Sequence, residues 1–271
     1  MRRTTLAKRV GQEDVRLLPI PTPKEAKTAL DYHAIDIDVV GAHNQEPLHN
    51  VQSYGVAANS AYAREIAPYY RAFPAAFSEV FVRSSVAEKL AQANELLVPY
   101  GVEVLALDGF RSIELQWDLW RHFIAKGKEA LTNPTEDDLV RFAGTFCSNP
   151  SGFKPDDFRT WPVHNTGGAI DLTLRTRSRR DPQELFMGSI FDDADSVSDT
   201  RHFENSALTS QSAEEARRNR RLLYHIMIAV GFANYSHEWW HFDFGTQMWV
   251  MNGNHKCSAV YGRTETPAAA I

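Results

Sequence analysis

Cys147 and Cys257 are the only cysteines among the 271 residues. That number rules out a disulfide framework. Neither cysteine sits in a C-x-x-C pair, which speaks against thiolate ligation of a metal. No apolar run is long enough to cross a bilayer. The basic N-terminus never reaches the apolar stretch of a secretory signal, so the expectation is a cytoplasmic protein with no membrane partner. Basic residues are in deficit, 29 against 34 acidic, for a net charge of −5, which argues against a nucleic-acid partner. The arginines at 175, 177, 179 and 180 stand in polar surroundings and read as a solvated loop. No internal repeat is visible. What is present is 43% hydrophobic and 11% aromatic residues, enough for one substantial core.

Against that plain background two segments carry chemistry. The first runs Pro162, Val163, His164, Asn165, Thr166, Gly167, Gly168, Ala169, Ile170, Asp171. The second, far downstream, is Ser236, His237, Glu238, Trp239, Trp240, His241. Two imidazoles and a carboxylate, His164, Asp171 and His241, make a zinc triad with a fourth position left for water. Glu238 is a carboxylate beside the last ligand, placed to act as base toward that water. The combination reads as a metal hydrolase. His237 to His241 also matches H-E-x-x-H, which would use both His237 and His241 as ligands of a zinc endopeptidase, but only on a helix. The local text opposes a helix. Residues 219–230 read as a helix stopped by Gly231, and the aromatic run after that glycine is rich in strand formers. On this reading His237 is a bystander. His202, His225 and His255 are read as ordinary. Without a metal, Asp171 in an apolar strand needs a cation partner, and Arg111 is the candidate.

The rest of the chain supplies a frame. Residues 84–97 are a helix with Val86, Leu90, Ala93 and Leu97 on one stripe and a capping box from Ser85 and Glu88. Residues 102–107 form a strand, 113–126 a second amphipathic helix, and 135 to about 147 a shorter one. Residues 168–174 alternate, which puts Ala169, Asp171 and Thr173 on one face and Ile170, Leu172 and Leu174 behind it. Residues 36–40 are a short strand, and 175–211 a long polar loop. Ser212 and Glu215 cap the next helix. The order predicts an α+β single domain, helices packed on a mostly antiparallel sheet with the zinc site in a cleft. Residues 1–50 are expected to be an extension packed on that domain, 51–262 the catalytic domain, and 263–271 a frayed tail.

The segment His164-x-x-Gly167-x-Ala169-x-Asp171 and the ending Glu238-Trp-Trp-His241 resemble the D-alanyl-D-alanine dipeptidases of the vancomycin-resistance type. These are zinc peptidases related to D,D-carboxypeptidases and to the hedgehog domain. Asp108-Gly-Phe-Arg111-Ser and the segment from Phe186 to Asp192 are similar to other parts of that family, and the likeness covers residues 50 to 250. It implies one Zn2+ on His164, Asp171 and His241, Glu238 as general base and then acid, Arg111 facing the developing oxyanion, and Asp192 receiving the α-ammonium of a small peptide. Pro162 departs from the family, which usually has a serine there. Proline offers neither hydroxyl nor backbone N–H, so the departure touches the choice of dipeptide and not the metal chemistry. A non-catalytic zinc module of the same fold is the other class the resemblance allows. Glu238 and Arg111 speak against it, since neither is needed to hold a metal.

Overall fold

In the computed structural model of the chain, residues 14–23, 29–205 and 207–267 are described. Among them the α-helices are α1 (Ser84–Leu97), α2 (Ile113–Ala130), α3 (Glu136–Gly144), α4 (Gln211–Ala229) and α5 (Gln247–Asn252). The strands are β1 (Leu48–Asn50), β2 (Ala57–Ala58), β3 (Phe81–Arg83), β4 (Val102–Asp108), β5 (Ala169–Thr176), β6 (Ala233–Asn234) and β7 (His241–Asp243). Five strands form one sheet in the order β2-β4-β5-β7-β6, while β1 and β3 pair separately. Only β2 and β4 run parallel within the larger sheet, so the architecture is the α+β arrangement with a mostly antiparallel sheet. No helix among the described residues is long and apolar enough to cross a membrane.

The alternation of β5 builds two faces. Ile170, Leu172 and Leu174 enter the main core with Val86, Leu90 and Leu97 of α1 and Leu223 and Ile226 of α4. Asp171 and Thr173 lie on the opposite face and are nonetheless buried, 2% exposed each. This second face carries the polar groups of the site. β4 supports it through a bulge between Ala106 and Asp108, which turns Asp108 opposite Asp171. An extra residue in one strand shifts its side chains to the other face, so the bulge aims a carboxylate where regular pairing would place an apolar side chain.

Several terminal details differ from the sequence reading. The capping box of Ser85 and Glu88 does not form. Glu46, from outside the helix, accepts from Ser85 N at 2.9 Å and Ser85 Oγ at 2.8 Å, so a distant carboxylate takes the role at the positive end of α1. α4 is capped by Ser210, whose Oγ accepts from Ala213 N, and not by Ser212. Residues 36–40 make one bridge, Ile37 to Ala259, and no strand. Gly231 does stop α4 in a left-handed conformation (φ 103°). In the N-terminal stretch Val15 is fully buried and His225 Nε2 lies 3.0 Å from Leu18 O. Of the tail, 268–271 lie outside the described residues, while Thr264 N donates to Asn165 O at 3.0 Å.

Candidate metal and catalytic site

The site is assembled by strand register. Asp171 on β5 lies directly opposite His241 on β7, two residues 70 apart in sequence. Facing residues of antiparallel strands share a side of the sheet, so their side chains meet: His241 Nδ1 is 2.9 Å from Asp171 Oδ1. His164 arrives from a short 3-10 turn, Val163–Thr166, that leads into β5. Gly167 closes that turn at φ 69°, a left-handed conformation that favours glycine, and its open side is packed by Leu48. Arg83 secures the same turn. Its buried guanidinium donates to the carbonyls of Thr166, Asn44, Glu46 and Gly262. Those four carbonyls meet the need of a buried charge for hydrogen-bond partners.

His164, Asp171 and His241 thus bring three ligand atoms within 4.8 Å of one another, all on buried residues. The second nitrogen of each imidazole is already engaged. His164 Nδ1 is 2.8 Å from Gly109 O, leaving Nε2 toward Asp171 at 3.5 Å. His241 Nε2 is 2.9 Å from Asp243 Oδ2, and Asp243 in turn accepts from Thr246 Oγ1 at 2.7 Å. Asp243 was not singled out in the sequence. A signal existed, since residues i and i+2 of a strand share a face, and Ala169 opposite it adds only a methyl.

Burial depresses the His164 imidazole to about 3, so it is neutral near pH 7. Burial also pulls His241 down, but the carboxylates of Asp243 and Asp171 outweigh it and hold that ring well above its ordinary value. Asp171 is lowered: burial opposes its charge, while His164, the hydrogen bond from His241 and Arg111 favour it.

Glu238 sits in the turn between β6 and β7, its carboxylate 3.7 Å from His241 Nδ1. Burial, and then the charges of Asp171 and Asp192, push it up to about 8 against the opposing pull of His241 and Arg111. The turn also settles the H-E-x-x-H alternative. Residues 237–240 are not helical, and exposed His237 pairs with Asp199 at 2.9 Å, away from the cluster. The stretch that links β6 to β7 is instead built of two tight turns, Glu238 N to Tyr235 O at 3.1 Å and His241 N to Glu238 O at 3.3 Å, closed by Tyr235 N on His241 O at 3.2 Å.

Arg111, 7% exposed, is gripped by Asp108 through Nε and a terminal nitrogen at 3.0 and 2.8 Å, with Gln116 Oε1 at 3.2 Å. It reaches Asp171 only at 3.8 Å. The ion-pair partner of Arg111 is therefore Asp108, and Asp171 is answered mainly by histidines. Arg111 also donates to Tyr62 Oη at 3.0 Å, and Tyr62 donates to Asp192 at 2.8 Å. Tyr69 donates to the same carboxylate oxygen. Asp192 is thus linked to the arginine by one hydroxyl, 130 residues away in sequence. Tyr62 and Tyr69 lie in a stretch without regular structure and carry no local signal. Burial raises the Asp192 carboxyl above the usual range. A cavity of about 310 Å³ is lined by Asp192, Glu238 and Trp240 together with Asp193, Asp195 and Tyr235.

A family model described as D-Ala-D-Ala dipeptidase matches residues 55–261. The chain belongs to the D-Ala-D-Ala dipeptidase family. Among similar proteins are D-alanyl-D-alanine dipeptidases from three bacteria. That of Synechocystis sp. is 28% identical over 206 residues, 69% of this chain and 81% of its own. That of Enterococcus faecium is 33% identical over 162 residues, 58% of this chain and 69% of its own. That of Escherichia coli is 40% identical over a shorter stretch of 80 residues, 30% of this chain and 36% of its own. As a member of the D-Ala-D-Ala dipeptidase family the chain is a metallopeptidase that acts on small peptides. The family match begins after β1, so Glu46, which caps α1, lies outside it.

Proposed function

We propose that this protein hydrolyses a free dipeptide, D-Ala-D-Ala or a related D-amino-acid dipeptide, with one zinc ion on His164, Asp171 and His241. The observation that carries the reading is the placing of the Glu238 carboxylate 3.7 Å from His241 within a buried His-Asp-His cluster. The donor set fits zinc. Two imidazoles and one carboxylate are a catalytic zinc set, and each ring has its other nitrogen fixed by a hydrogen bond, as ligating histidines do. When bound, zinc supplies Lewis-acid polarisation of the scissile carbonyl and a more acidic water.

The chain's own groups do the rest. Glu238 accepts the proton of the attacking water and returns it to the leaving amine. Arg111, held in orientation by Asp108 and Gln116, offers fixed positive charge to the developing oxyanion. Asp192, with Tyr62 and Tyr69 on one oxygen, receives the α-ammonium of the substrate. A carboxylate at a fixed distance from the base requires a free amino terminus close to the scissile bond, and that limits substrates to short ones. The cavity beside Glu238 and Asp192 is the substrate's cleft.

The test is a panel of free dipeptides (D,D, L,D and L,L) offered to the zinc-loaded protein beside Glu238→Ala. Cleavage of D-Ala-D-Ala that disappears in the variant supports the full reading. Cleavage of a different dipeptide keeps the mechanism and assigns the changed specificity to positions such as Pro162. Failure to cleave any dipeptide with one zinc bound sinks the dipeptidase reading for this chain.

Two further outcomes follow from the site's protonation. In the metal-free protein the carboxylates of Asp243 and Asp171 favour the charged form of His241, and Glu238, at about 8, is mostly protonated at pH 7. A ligand must lose its proton, and a cation beside Glu238 favours its carboxylate. Zinc binding at pH 7 therefore releases protons, about one of them from Glu238, and fewer at pH 9, where Glu238 is already ionised. Calorimetry in buffers of different ionisation enthalpy reads this number, and Glu238→Gln removes about one of them. Release that is the same at both pH values sinks this account. Asp243→Ala frees the Nε2 side of His241 and lowers zinc affinity about 10–100-fold, measured by chelator competition.

A further inference from the structure

The segment from 187 to 199 carries Asp192 near its middle with non-glycine left-handed backbone (φ 61°), and its only regular structure is the short turn Ser196–Ser198. Bonds within the loop, such as Ser198 Oγ to Asp193 O, shape its middle. α4 ties its two ends together. Arg220, 1% exposed, donates from Nε to Met187 O at 2.7 Å and from its two terminal nitrogens to Asp199 O at 2.7 Å and Val197 O at 2.8 Å. These carbonyls stand at the beginning and the end of the segment, so one guanidinium closes the loop at its neck. None of the three partners is a carboxylate. The guanidinium lies over the Phe203 ring at 4.7 Å and near that of Trp239 at 5.7 Å. Ser189 joins the same point: its Oγ accepts from Trp239 Nε1 at 2.9 Å and lies 3.5 Å from Arg220. Trp239 N donates to Ser198 O at 3.0 Å, and Trp239 is the neighbour of Glu238. The neck is therefore tied both to the loop bearing Asp192 and to the turn bearing Glu238.

We propose that Arg220 is a positioning residue: it sets the distance between Asp192 and Glu238 and thereby enforces the requirement for a free amino terminus. This rests on the reading of Asp192 as the ammonium receptor. Arginine suits the task because a planar fork of five donors spans carbonyls from both ends of the loop at once. Lysine keeps the charge but cannot hold that geometry. The loop then relaxes at its neck, and Asp192 loses its fixed distance from the base.

The test compares the full-length, zinc-loaded protein with Arg220→Lys, Ser189→Ala and Asp192→Asn. Each is assayed on the dipeptide it cleaves best and on the N-acetylated form of that dipeptide, with zinc content measured alongside. Arg220→Lys raises KM for the free dipeptide by about tenfold or more, the scale of a lost charged hydrogen bond. It changes kcat less, leaves zinc at one per chain, and lowers the preference for a free over an acetylated terminus toward that of Asp192→Asn. A purely structural role would instead lower the active fraction, cutting apparent kcat at unchanged KM and unchanged preference, and that result overturns the proposal. Should Arg220→Lys fail to fold, Ser189→Ala decides, since it keeps the buried charge and removes only the hydroxyl link. A KM and preference equal to the parent's in that variant overturn the proposal, and a shift in the same direction supports it. Asp192→Asn separates the two layers. If it leaves the preference intact, the ammonium reading falls and the proposal with it. If it abolishes the preference while the Arg220 and Ser189 variants behave as the parent, only the role of Arg220 is overturned.

Discussion

Glu238→Gln lowers kcat by about 10²–10⁴-fold, the range a positioned general base contributes, while zinc stays at one per chain. The substitution is nearly isosteric and removes only the ability to accept a proton. Glu238 is half-buried and its ordinary acidity is already suppressed, with burial and two neighbouring carboxylates pushing it up to about 8 in the metal-free protein. A bound cation beside it favours the carboxylate, which leaves Glu238 ionised and able to accept a proton near neutral pH. KM changes little, because the carboxylate takes its proton in the transition state and binds no part of the ground-state dipeptide. A kcat within about threefold of the parent, at full zinc content, would remove Glu238 from the base position. A loss of zinc together with activity would make it a ligand.

His164→Ala abolishes zinc retention and activity together, whereas His237→Ala leaves both nearly intact. The two histidines look alike as letters and differ in surroundings. His164 is 6% exposed, with Nδ1 fixed by Gly109 O and Nε2 facing Asp171. His237 is exposed and paired with Asp199. Removing a directly coordinating ring costs more than the about 10–100-fold lost when a ligand's hydrogen-bond partner is removed. Chelator competition on both variants, with hydrolysis of the preferred dipeptide alongside, reads the contrast. Retained zinc in His164→Ala, or lost zinc in His237→Ala, would reverse the assignment.

The grouping of His164, Asp171 and His241 was legible because it is written locally and in residue types with few other uses. His164 and Asp171 are seven residues apart across a glycine turn, and Glu238 and His241 are three apart in one turn, so each half of the site can be seen without knowing the fold. The alternation of 169–174 likewise separates core from site face by the two-residue period of a strand alone. Gly231 ends α4 in a left-handed conformation, and that boundary kept a helix out of the H-E-x-x-H stretch, although residues 237–240 form a turn and only His241 begins a strand.

What packing alone decided lies in pairs distant in sequence. That Asp171 faces His241 is a matter of strand register, and that Asp108 joins them depends on a bulge. The link from Arg111 through Tyr62 to Asp192 spans 49 and then 130 residues. Glu46 displaces the expected capping box of α1 because a carboxylate brought in by the chain reaches the helix N-terminus better than Ser85 and Glu88 do. Arg83 and Arg220 carry no local signal, yet both are buried and serve as clamps on backbone carbonyls. Periodicity and motif spacing report only on neighbours along the chain. The orientation of the two buried imidazoles and the shape of the loop around Asp192 come from hydrogen bonds whose partners are neighbours only once the sheet and α4 have packed.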